Sequence, residues 1–518
     1  MSLKVYIKCS KRLKRLGFLS LILGCWVVWL KVLVVGDGSR EQAIAETLAR
    51  SVKEPRIYAI MRILNPGIVR VCESTGGGFR RGKPTDPVQV ADYAEELNVD
   101  FVFVGPEEPL FHGVADEVER RGIGCIGAKK SLAEIEMSKA YMRRLMWKYE
   151  VPGRLRFKAF KNVEDAIAYI NEYAESLAIK PARQAGGKGV KVIADLQAYL
   201  SREKKKVKAK HAVKVVKEHM RGYTDIEDRI LLEERVEGPE YTLQCFCDGK
   251  TVLPTPLVQD NKHAFEDDLG PETGGMGSIA GKGLTLPFIT MDEYNRSVEI
   301  VKKLVDAVQR ESGEHYKGVI AGQMMLTDKW GPTIIEMYSR FGQPEGENIL
   351  PLLETDMVEI CEAILSQSLA KVKLKFREKA TVIKCLAPRG YPDHRELAKG
   401  HPIWVDEEAI RKAGGKLFWG SVDTVDGSYV TGGSRACEIY AEADTIEEAA
   451  EIAERCIPYV KLLDGWGLFY RSDIGSRRLL EKRMRLAEMV REIYLYREKK
   501  GILGKTIDWI PGRGKIEV

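Results

Sequence analysis

Hydrophobic and polar positions follow one another along the chain in blocks that predict alternating strands and helices. A continuous apolar run at Val32–Val35 predicts a buried parallel strand, and Phe101–Val104 predicts a second one. The first strand leads through a glycine turn into a predicted helix at Glu41–Ser51, and helical and loop segments precede the second strand. This order predicts βαβ units, which we place in a first domain at residues 31–130.

The middle of the chain predicts a second and larger domain at residues 131–370. Helical spacing runs from Ser131 to Tyr149 and ends before Pro152, whereas the glycine-rich stretch 259–283 is predicted to be mostly loop. The other elements predicted here are helices at 163–177, 204–217, 291–311 and 354–368, strands ending at Lys180-Pro181 and at Ile230–Glu233 and Tyr241–Cys247, and a hairpin at Val319–Leu326 and Thr333–Met337.

The last part of the chain predicts a small α+β domain at residues 371–470, followed by a basic tail at 471–518. In the small domain, short strands are predicted at 381–386, 429–431 and 436–440, and one helix at 445–459. The tail is expected to be helical and then irregular. We find no internal repeat.

Composition narrows the functional class only modestly. With 518 residues, 44% of them hydrophobic and 30% charged, the chain is expected to be a globular protein with several cores. Its net charge of +6 is explained by small anionic substrates as well as by nucleic acid, and we expect no nucleic-acid partner. The 10 cysteines are scattered without a CxxC pair, which favours a reducing compartment over a zinc or disulfide framework.

The first thirty residues do not fit the rest of the pattern. A basic cluster at 11–15 precedes an uncharged run from Gly17 to Leu30, as in a signal peptide, but no small-residue cleavage site follows. The first predicted strand begins directly afterwards, at Lys31, and Leu30 stands where an initiator residue would be. We therefore interpret residues 1–30 as an over-extended start, with a genuine membrane anchor as the alternative, and expect the N-terminus of the native protein near residue 30.

Three glycine-rich segments are candidates for binding an anionic ligand. The turn Gly36–Arg40 follows a strand and opens a helix, where backbone N–H groups can hold phosphate, although a simple tight turn is the alternative. Lys180 and the loop Gly186–Gly189 could contact nucleotide phosphates and close over them, although an ordinary hairpin has the same pattern. The segment 270–277 has the glycine content of a backbone that approaches a ligand closely, or of a disordered loop.

The strand that ends near residue 338 carries the most chemical information. Glu336, Tyr338 and Arg340 lie at even offsets, so an extended strand directs all three to one face. A carboxylate can hold Mg²⁺, and a guanidinium can neutralise a developing phosphate or oxyanion. The alternative is an edge strand with an ion pair.

Taken in order, these segments resemble one family, the phosphoribosylamine–glycine ligases (glycinamide ribonucleotide synthetases) of the ATP-grasp superfamily. The resemblance covers about residues 31–475, and only the ordered set of motifs makes it specific. The motifs are Val34-Val-Gly-Asp-Gly-Ser-Arg-Glu41, Val104-Gly-Pro-Glu-Glu-Pro-Leu110, Ser138-Lys139, Gly187-Lys-Gly-Val190, Glu233-Glu234, Gln259-Asp260 with Lys262, Gly270-Pro-Glu-Thr-Gly-Gly-Met-Gly277, Arg340-Phe-Gly, Pro344-Glu345 and Thr431-Gly-Gly-Ser-Arg435.

The resemblance implies a fold, a reaction and a set of site residues. The fold would be α/β multidomain, with a Rossmann-like N-terminal domain, an ATP-grasp domain and the small C-terminal α+β domain. ATP with Mg²⁺ or Mn²⁺ would phosphorylate glycine, and phosphoribosylamine would attack the glycyl phosphate. By position, Arg340 and Lys180 would be catalytic and Glu336 would bind metal; ATP would contact Lys139, Lys180, Gly187, Lys188, Gly189, Glu233, Val236 and Glu240; the other substrates would contact Gly36, Gly38, Arg40, Glu107, Asp260, Lys262, Thr273, Gly274, Gly275 and Arg435.

Four positions depart from the family pattern. Gln42 and Asn261 stand where histidine is usual, and Gln343 stands where aspartate is usual. Tyr338 replaces an asparagine expected to bind metal, and a neutral phenol is a poor Mg²⁺ ligand. Gln323 on the neighbouring strand could offer a carbonyl oxygen instead, or it could be an ordinary hydrogen-bonded polar residue.

These departures motivate two competing functions. One is a related ATP-grasp ligase that uses another small acid or amine, and the other is a nucleotide-binding protein without turnover. A dinucleotide-dependent dehydrogenase, suggested by Gly36–Gly38 alone, would leave the segments 180–189 and 270–277 unexplained. We expect a cytoplasmic monomer or homodimer that binds small molecules.

Overall fold

The computed structural model describes residues 29–161, 165, 177–181, 191–193, 230–505, 507–510 and 514–517. The predicted helix at 204–217, the loop residues Gly187, Lys188 and Gly189, and almost all of the N-terminal extension lie outside these residues. None of the helices within the described ranges combines the length and the apolar character needed to cross a membrane.

The N-terminal domain is a parallel five-stranded sheet in the order β3-β2-β1-β4-β5. Val32 and Val34 pack into one core while Leu33 and Val35 pack into another. Both faces of β1 are therefore buried, as its continuous apolar run predicts. The elements are β1 Lys31–Val35, α1 Ser39–Ala49, β2 Arg56–Met61, α2 Pro66–Ser74, β3 Gly78–Arg81, α3 Pro87–Leu97, β4 Phe101–Val104, α4 Glu107–Phe111, α5 Val114–Arg120 and β5 Gly124–Ile126.

Besides a two-stranded sheet of His263–Phe265 and Leu269–Glu272, the next region contains two sheets that line a cleft. The smaller one is antiparallel, in the order β6-β9-β7-β8, and the larger one contains the strands that carry Glu240 and Glu336. The elements are α6 Lys130–Met137, α7 Lys139–Lys148, β6 Phe157–Phe160, β7 Leu177–Pro181, β8 Lys191–Ile193, β9 Ile230–Glu234, β10 Glu240–Cys247, β11 Val252–Pro254, β12 Val258–Asp260, β13 His263–Phe265, β14 Leu269–Glu272, β15 Gly277–Ala280, α8 Met291–Ser312, β16 Gly318–Thr327, β17 Gly331–Tyr338, α9 Glu345–Ile349 and α10 Met357–Leu365.

The C-terminal domain continues the larger sheet. β15 pairs with the first strand that follows residue 379, so ten strands from both regions form one sheet. The elements are β18 Ala380–Pro388, β19 Lys399–Val405, α11 Glu407–Lys412, β20 Gly415–Trp419, β21 Val422–Val425, β22 Ser428–Gly432, β23 Cys437–Ala443, α12 Ile446–Cys456, β24 Val460–Leu462, β25 Leu468–Phe469, α13 Arg477–Lys499, β26 Ile507–Ile510 and β27 Gly514–Glu517.

Three sequence predictions of local structure are wrong. The helix predicted at 131–149 is two helices, because Ser138 has extended backbone angles and its hydroxyl accepts a hydrogen bond from the backbone N–H of Tyr141. The stretch 259–283 contains four short strands rather than mostly loop, and the tail ends in a two-stranded hairpin rather than irregular chain. The hairpin of β16 and β17 is confirmed, with strands slightly longer than predicted.

Candidate active site

A cleft of about 1040 Å³ lies where the three regions meet. Because its walls come from segments as distant as α1 and the C-terminal sheet, the fold brings together residues that the sequence separates by hundreds of positions. The predicted site residues that line it are Gly36, Gly38, Arg40, Glu107, Lys139, Glu233, Val236, Glu240, Asp260, Lys262, Thr273, Gly274, Glu336, Arg340 and Arg435.

Glu336 is the carboxylate at the centre of the cleft. A β-bulge between Gln323 and Met324 of β16 shifts the register of β17 just before Glu336. Lys139 Nζ lies 2.8 Å from Glu336 Oε2, and Lys262 Nζ lies 3.6 Å from Oε1. Burial alone would raise the pKa of Glu336, but these two ammonium groups outweigh burial and hold the pKa well below its usual range. The carboxylate is therefore ionised and already attracts cations.

Arg340 is fixed by acceptors on three sides. Its Nε donates to Glu107 Oε2 at 3.1 Å, one terminal nitrogen donates to the carbonyl of Phe341 at 3.1 Å, and the other lies 3.0 Å from Glu136 Oε1. Although burial would raise the pKa of Glu107, Arg340 and Arg40 lower it to about 2. Since a guanidinium has five N–H donors, these three contacts leave two that can reach a ligand.

The turn after β1 is held by the first turn of α1. The backbone N–H of Gly38 donates to Glu41 Oε2 at 2.7 Å, and Arg40 Nε donates to Glu41 Oε1 at 2.7 Å. Gly36 has φ of +123°, and a Cβ there would meet the Glu41 and Pro106 side chains within 2.7 Å. A glycine is therefore required for this turn to pack against its neighbours.

The wall predicted to hold the nucleoside rests on a fully buried ion pair. Arg143 Nε donates to Glu233 Oε1 at 2.6 Å, and the two side chains are 0% and 1% exposed. The terminal nitrogens of Arg143 also donate to the carbonyls of Ile334 and Ile335. The Glu233 carboxylate is thus held by Arg143 of α7, which also binds β17. The Glu233 backbone positions the segment that continues to Val236.

The neighbouring Glu234 is fixed by residues that touch the C-terminal tail. The indole N–H of Trp330 and the backbone N–H of Arg156 both donate to Glu234 Oε1, at 2.9 Å each. Arg156 also donates to the carbonyl of Gly504, and Leu486 of α13 lines the cleft. The tail therefore supports the nucleoside wall, which its basic composition does not indicate.

Lys262 stands among several acidic groups. Its Nζ lies 3.5 Å from Glu240 Oε2 as well as close to Glu336. Burial, and after it the neighbouring Glu345 and Glu240 carboxylates, raise the pKa of Asp260 to about 8 against the opposing effect of Lys262. This part of the cleft favours a cation or a proton.

The segment 270–277 spans the end of β14, a short loop at 273–276 and the start of β15, and its loop is held by the C-terminal domain. One terminal nitrogen of Arg435 donates to the carbonyls of Gly274 and Gly275, at 2.7 and 2.8 Å, and the backbone N–H of Gly274 donates to the Tyr391 hydroxyl. Thr273 Oγ donates to the carbonyl of Lys262 at 2.7 Å. Arg435 thus acts on the cleft at least partly by shaping this loop.

Two of the departures from the family pattern join domains in this structure. Gln42 accepts a hydrogen bond from the backbone N–H of Trp419 and donates to the carbonyl of Leu417, so it ties α1 to β20. The side-chain amide of Gln343 donates to Ser39 Oγ at 2.6 Å and faces Glu438 at 3.3 Å. The third, Asn261, donates to the carbonyl of Gly277.

Gln323 lies opposite Glu336, directly behind the cleft wall, and is fully buried. Its Oε1 accepts from the Thr242 hydroxyl at 2.9 Å, and its Nε2 donates to Glu240 Oε2 at 2.8 Å. The hydrogen-bonded arrangement is thus the one adopted here. The amide oxygen keeps a second lone pair, so its role as a ligand stays a prediction.

Sequence reasoning missed Glu136, Arg143 and Trp330, which hold Arg340, Glu233 and Glu234 in place. Each partner lies 90 to 204 positions away along the chain, a separation at which no local pattern is informative. For Lys180, β7 places the residue at a strand end as predicted, and its side chain lies outside the described residues.

The chain matches family models over most of its length. The N, ATP-grasp (A) and C domains of phosphoribosylglycinamide synthetase match residues 30–136, 137–346 and 381–477. It is 43% identical to the phosphoribosylamine–glycine ligase of Methanopyrus kandleri over 89% of this chain and 99% of that protein, and 42% identical to that of Methanocaldococcus jannaschii over 88% and 98%.

A solved structure gives the same result. The crystal structure of the phosphoribosylamine–glycine ligase from Thermotoga maritima is 26% identical, with a TM-score of 0.68, and the match covers 86% of this chain and 100% of that one. A biotin carboxylase domain from Hydrogenobacter thermophilus, 17% identical with a TM-score of 0.60, shares the fold alone. Family model, relatives and structure agree, and the chain belongs to the phosphoribosylglycinamide synthetase family.

Proposed function

We infer that this protein is an ATP-dependent ligase that joins glycine to 5-phosphoribosylamine in purine biosynthesis, giving glycinamide ribonucleotide, ADP and phosphate. The observation that carries this inference is the pairing of Glu336 and Arg340 at one strand end. The first is ionised and flanked by two lysines, and the second keeps two donors for a ligand. Such a site stabilises negative charge on a transferred phosphoryl group.

The chemistry runs in two balanced steps. A glycine carboxylate oxygen attacks the γ-phosphorus of ATP, the bond to the β-phosphate oxygen breaks, and ADP leaves. The amine of phosphoribosylamine then attacks the acyl carbon, inorganic phosphate departs with the carboxylate oxygen, and the amine loses a proton as the amide forms. We propose that Arg340 stabilises the transferring phosphoryl group and the tetrahedral centre. Because an acyl phosphate hydrolyses in water, the site has to exclude water while the intermediate is present.

The binding roles proposed for the remaining residues follow the three walls of the cleft. Among residues that line the cleft, we assign Lys139 to the phosphates of ATP, Glu233, Val236 and Glu240 to the nucleoside, and Gly36, Gly38, Arg40, Glu107, Asp260, Lys262, Thr273, Gly274 and Arg435 to phosphoribosylamine and glycine. The sequence resemblance alone supports the assignment of Lys180, Gly187, Lys188 and Gly189 to the phosphates, with Lys180 also catalytic, and of Gly275 to the other substrates.

The donor set fits one divalent cation. Lys139 and Lys262 already place positive charge against both oxygens of Glu336. If the Gln323 amide turned over, its oxygen would face the cleft and its nitrogen could donate to Thr242, whose hydroxyl already lies 3.1 Å from Glu345. We propose that Glu336 and Gln323 hold Mg²⁺ or Mn²⁺, which usually takes one or two protein ligands plus substrate phosphates. When bound, the ion would supply charge neutralisation at the phosphates.

The remaining proposals concern context. We propose a cytoplasmic monomer or homodimer with domain limits near 130, 370 and 470.

One assay tests the function. The purified protein is given ATP, Mg²⁺ and freshly prepared phosphoribosylamine, with glycine present or omitted, and ADP and product are measured. Glycine-dependent ADP release with formation of glycinamide ribonucleotide is expected. ADP release that requires a different acid or amine would replace the substrate pair, and nucleotide binding without any release would overturn the ligase.

A further inference from the structure

Tyr338, the last residue of β17, contacts both Glu336 of the same strand and Arg340, which follows the strand. Its hydroxyl donates to Glu336 Oε1 at 2.7 Å, and its ring lies beneath the Arg340 guanidinium, with 4.5 Å from the guanidinium carbon to the ring centroid. One side chain therefore touches both the carboxylate proposed to hold the metal and the cation proposed to hold the phosphoryl group. No ordinary packing role requires both contacts.

The hydroxyl decides how Glu336 presents itself to a cation. Lys139 Nζ lies against Glu336 Oε2. Glu336 Oε1 accepts the hydrogen bond from the Tyr338 hydroxyl and lies 3.6 Å from Lys262 Nζ. A hydrogen bond donated to a carboxylate restricts rotation of that carboxylate and prepares its free lone pairs for a metal, as second contacts to metal ligands generally do. Tyr338 therefore acts on a metal through Glu336, because a neutral phenol is itself a poor ligand.

The ring decides how Arg340 presents its donors. Glu107, Phe341 and Glu136 accept hydrogen bonds in the plane of the guanidinium, and the Tyr338 ring covers one of its faces. A cation over an aromatic face is attracted by the ring quadrupole. The ring therefore restricts movement of the guanidinium out of its plane, which the in-plane hydrogen bonds alone do not fix. The ring thereby limits the orientation of the two remaining N–H donors of Arg340, whose side chain lines the cleft.

We propose that Tyr338 is a positioning residue that joins the metal-binding carboxylate to the phosphoryl-binding arginine, its hydroxyl orienting Glu336 and its ring orienting Arg340. The proposal rests on the proposed function for the nucleotide and for the roles of Glu336 and Arg340. It states how this chain works with a tyrosine where the family pattern implies an asparagine.

Nucleotide binding separates the two contributions without any turnover. The role of the hydroxyl is tested by the increase in ADP affinity that Mn²⁺ produces. The role of the ring is tested by the increase in ADP affinity that beryllium trifluoride produces, since this group mimics the γ-phosphoryl group. Tyr338→Phe should reduce the Mn²⁺-dependent increase about tenfold, the value of one hydrogen bond to a charged group. It should leave metal-free ADP affinity within about threefold of the native value, since Glu336 contacts no nucleotide without the metal.

Two further variants at the same position serve as matched controls. Tyr338→Leu should lose the Mn²⁺-dependent increase in ADP affinity, as Tyr338→Phe does. Its increase in ADP affinity with beryllium trifluoride should also be about threefold to tenfold smaller than that of Tyr338→Phe. Tyr338→Asn should retain the Mn²⁺ effect through its amide oxygen and lose the ring effect. Thermal midpoints near that of the native protein show that each variant is folded.

The outcomes are distinguishable from failure of the proposed function. An unchanged Mn²⁺ effect in Tyr338→Phe overturns the role of the hydroxyl, and equal beryllium trifluoride effects in the leucine and phenylalanine variants overturn the role of the ring. Losses of Mn²⁺-dependent and metal-free affinity by the same factor show a merely structural residue and also overturn the proposal. If glycine-dependent turnover is absent from the native protein, the substrate assignment fails while these binding results still decide the role of Tyr338.

Discussion

The buried pair of Arg143 and Glu233 gives a prediction whose size can be worked from the structure. The pair is 0% and 1% exposed with 2.6 Å between Nε and Oε1, so neither charge is compensated by water. Removing one partner of such a pair typically costs about 3–5 kcal/mol, because the other stays buried and charged. Glu233→Gln retains an amide oxygen, so we expect a loss near the lower end, about 3 kcal/mol.

That loss should be visible in melting and in nucleotide affinity. At about 2–4 °C per kcal/mol for a unit of this size, the calorimetric midpoint should fall by about 6–12 °C. Since Glu233 leads directly into the segment that reaches Val236, ATP affinity should fall about tenfold, which corresponds to about 1.4 kcal/mol. Calorimetry and equilibrium ATP binding on the same preparations measure both effects.

An exposed pair of the same region provides the control. Lys303 and Glu299 on α8 are 47% and 59% exposed with 3.0 Å between the charged atoms, so Glu299→Gln should cost less than about 1 kcal/mol. The double variant Arg143→Met with Glu233→Leu should recover much of the loss, because it removes both charges together. A midpoint for Glu233→Gln within about 1 °C of Glu299→Gln would refute the reasoning.

Three further changes test other parts of the site. Glu336→Gln should abolish turnover, while an unchanged circular dichroism spectrum shows an intact fold; retained activity would remove Glu336 from the metal site. The pKa of Glu107 is lowered from 4.5 to about 2, so the stability it contributes is present above pH 4.5 and is lost as pH falls towards 2. Glu107→Gln should therefore lower the free energy of unfolding in urea more at pH 7 than at pH 3. Equal decreases in this free energy at both pH values would contradict the pairing with Arg340. Trp330→Phe removes the indole donor to Glu234 and should raise the KM for ATP about threefold to tenfold with little change in kcat, whereas a fall in kcat alone would count against a binding role.

The regular elements were predictable where one physical signal dominates. Val32–Val35 is buried on both faces, so its apolar run has only one interpretation, and α8 is marked by a Thr290–Glu293 capping box before a long amphipathic stretch. At Ser138 the helical spacing continues across a break made by backbone geometry and one side-chain cap, which spacing cannot reveal. The short strands β12 to β15 have three or four residues each, β14 and β15 contain glycines, and β15 pairs with the distant β18, so their local propensity is weak.

The site was predictable where its residues lie on one strand and not where they meet across the fold. The even spacing of Glu336, Tyr338 and Arg340 indicated a shared face, and the contacts of Tyr338 with both neighbours confirm it. The carboxylate of Glu136, by contrast, reaches Arg340 from a helix 204 positions earlier and has no motif of its own. Such partners depend on domain packing, which only the three-dimensional structure supplies.

The central claim, that ATP activates glycine as an acyl phosphate in this cleft, is tested most directly by following oxygen. Glycine labelled with ¹⁸O in both carboxylate oxygens is incubated with the purified protein, ATP, Mg²⁺ and phosphoribosylamine, and the inorganic phosphate is analysed by mass spectrometry. Because the phosphate must leave with one carboxylate oxygen, the account predicts one ¹⁸O atom in each phosphate and one in each amide product. Phosphate formed at the same rate without ¹⁸O would show that ATP is cleaved by water and would contradict the account.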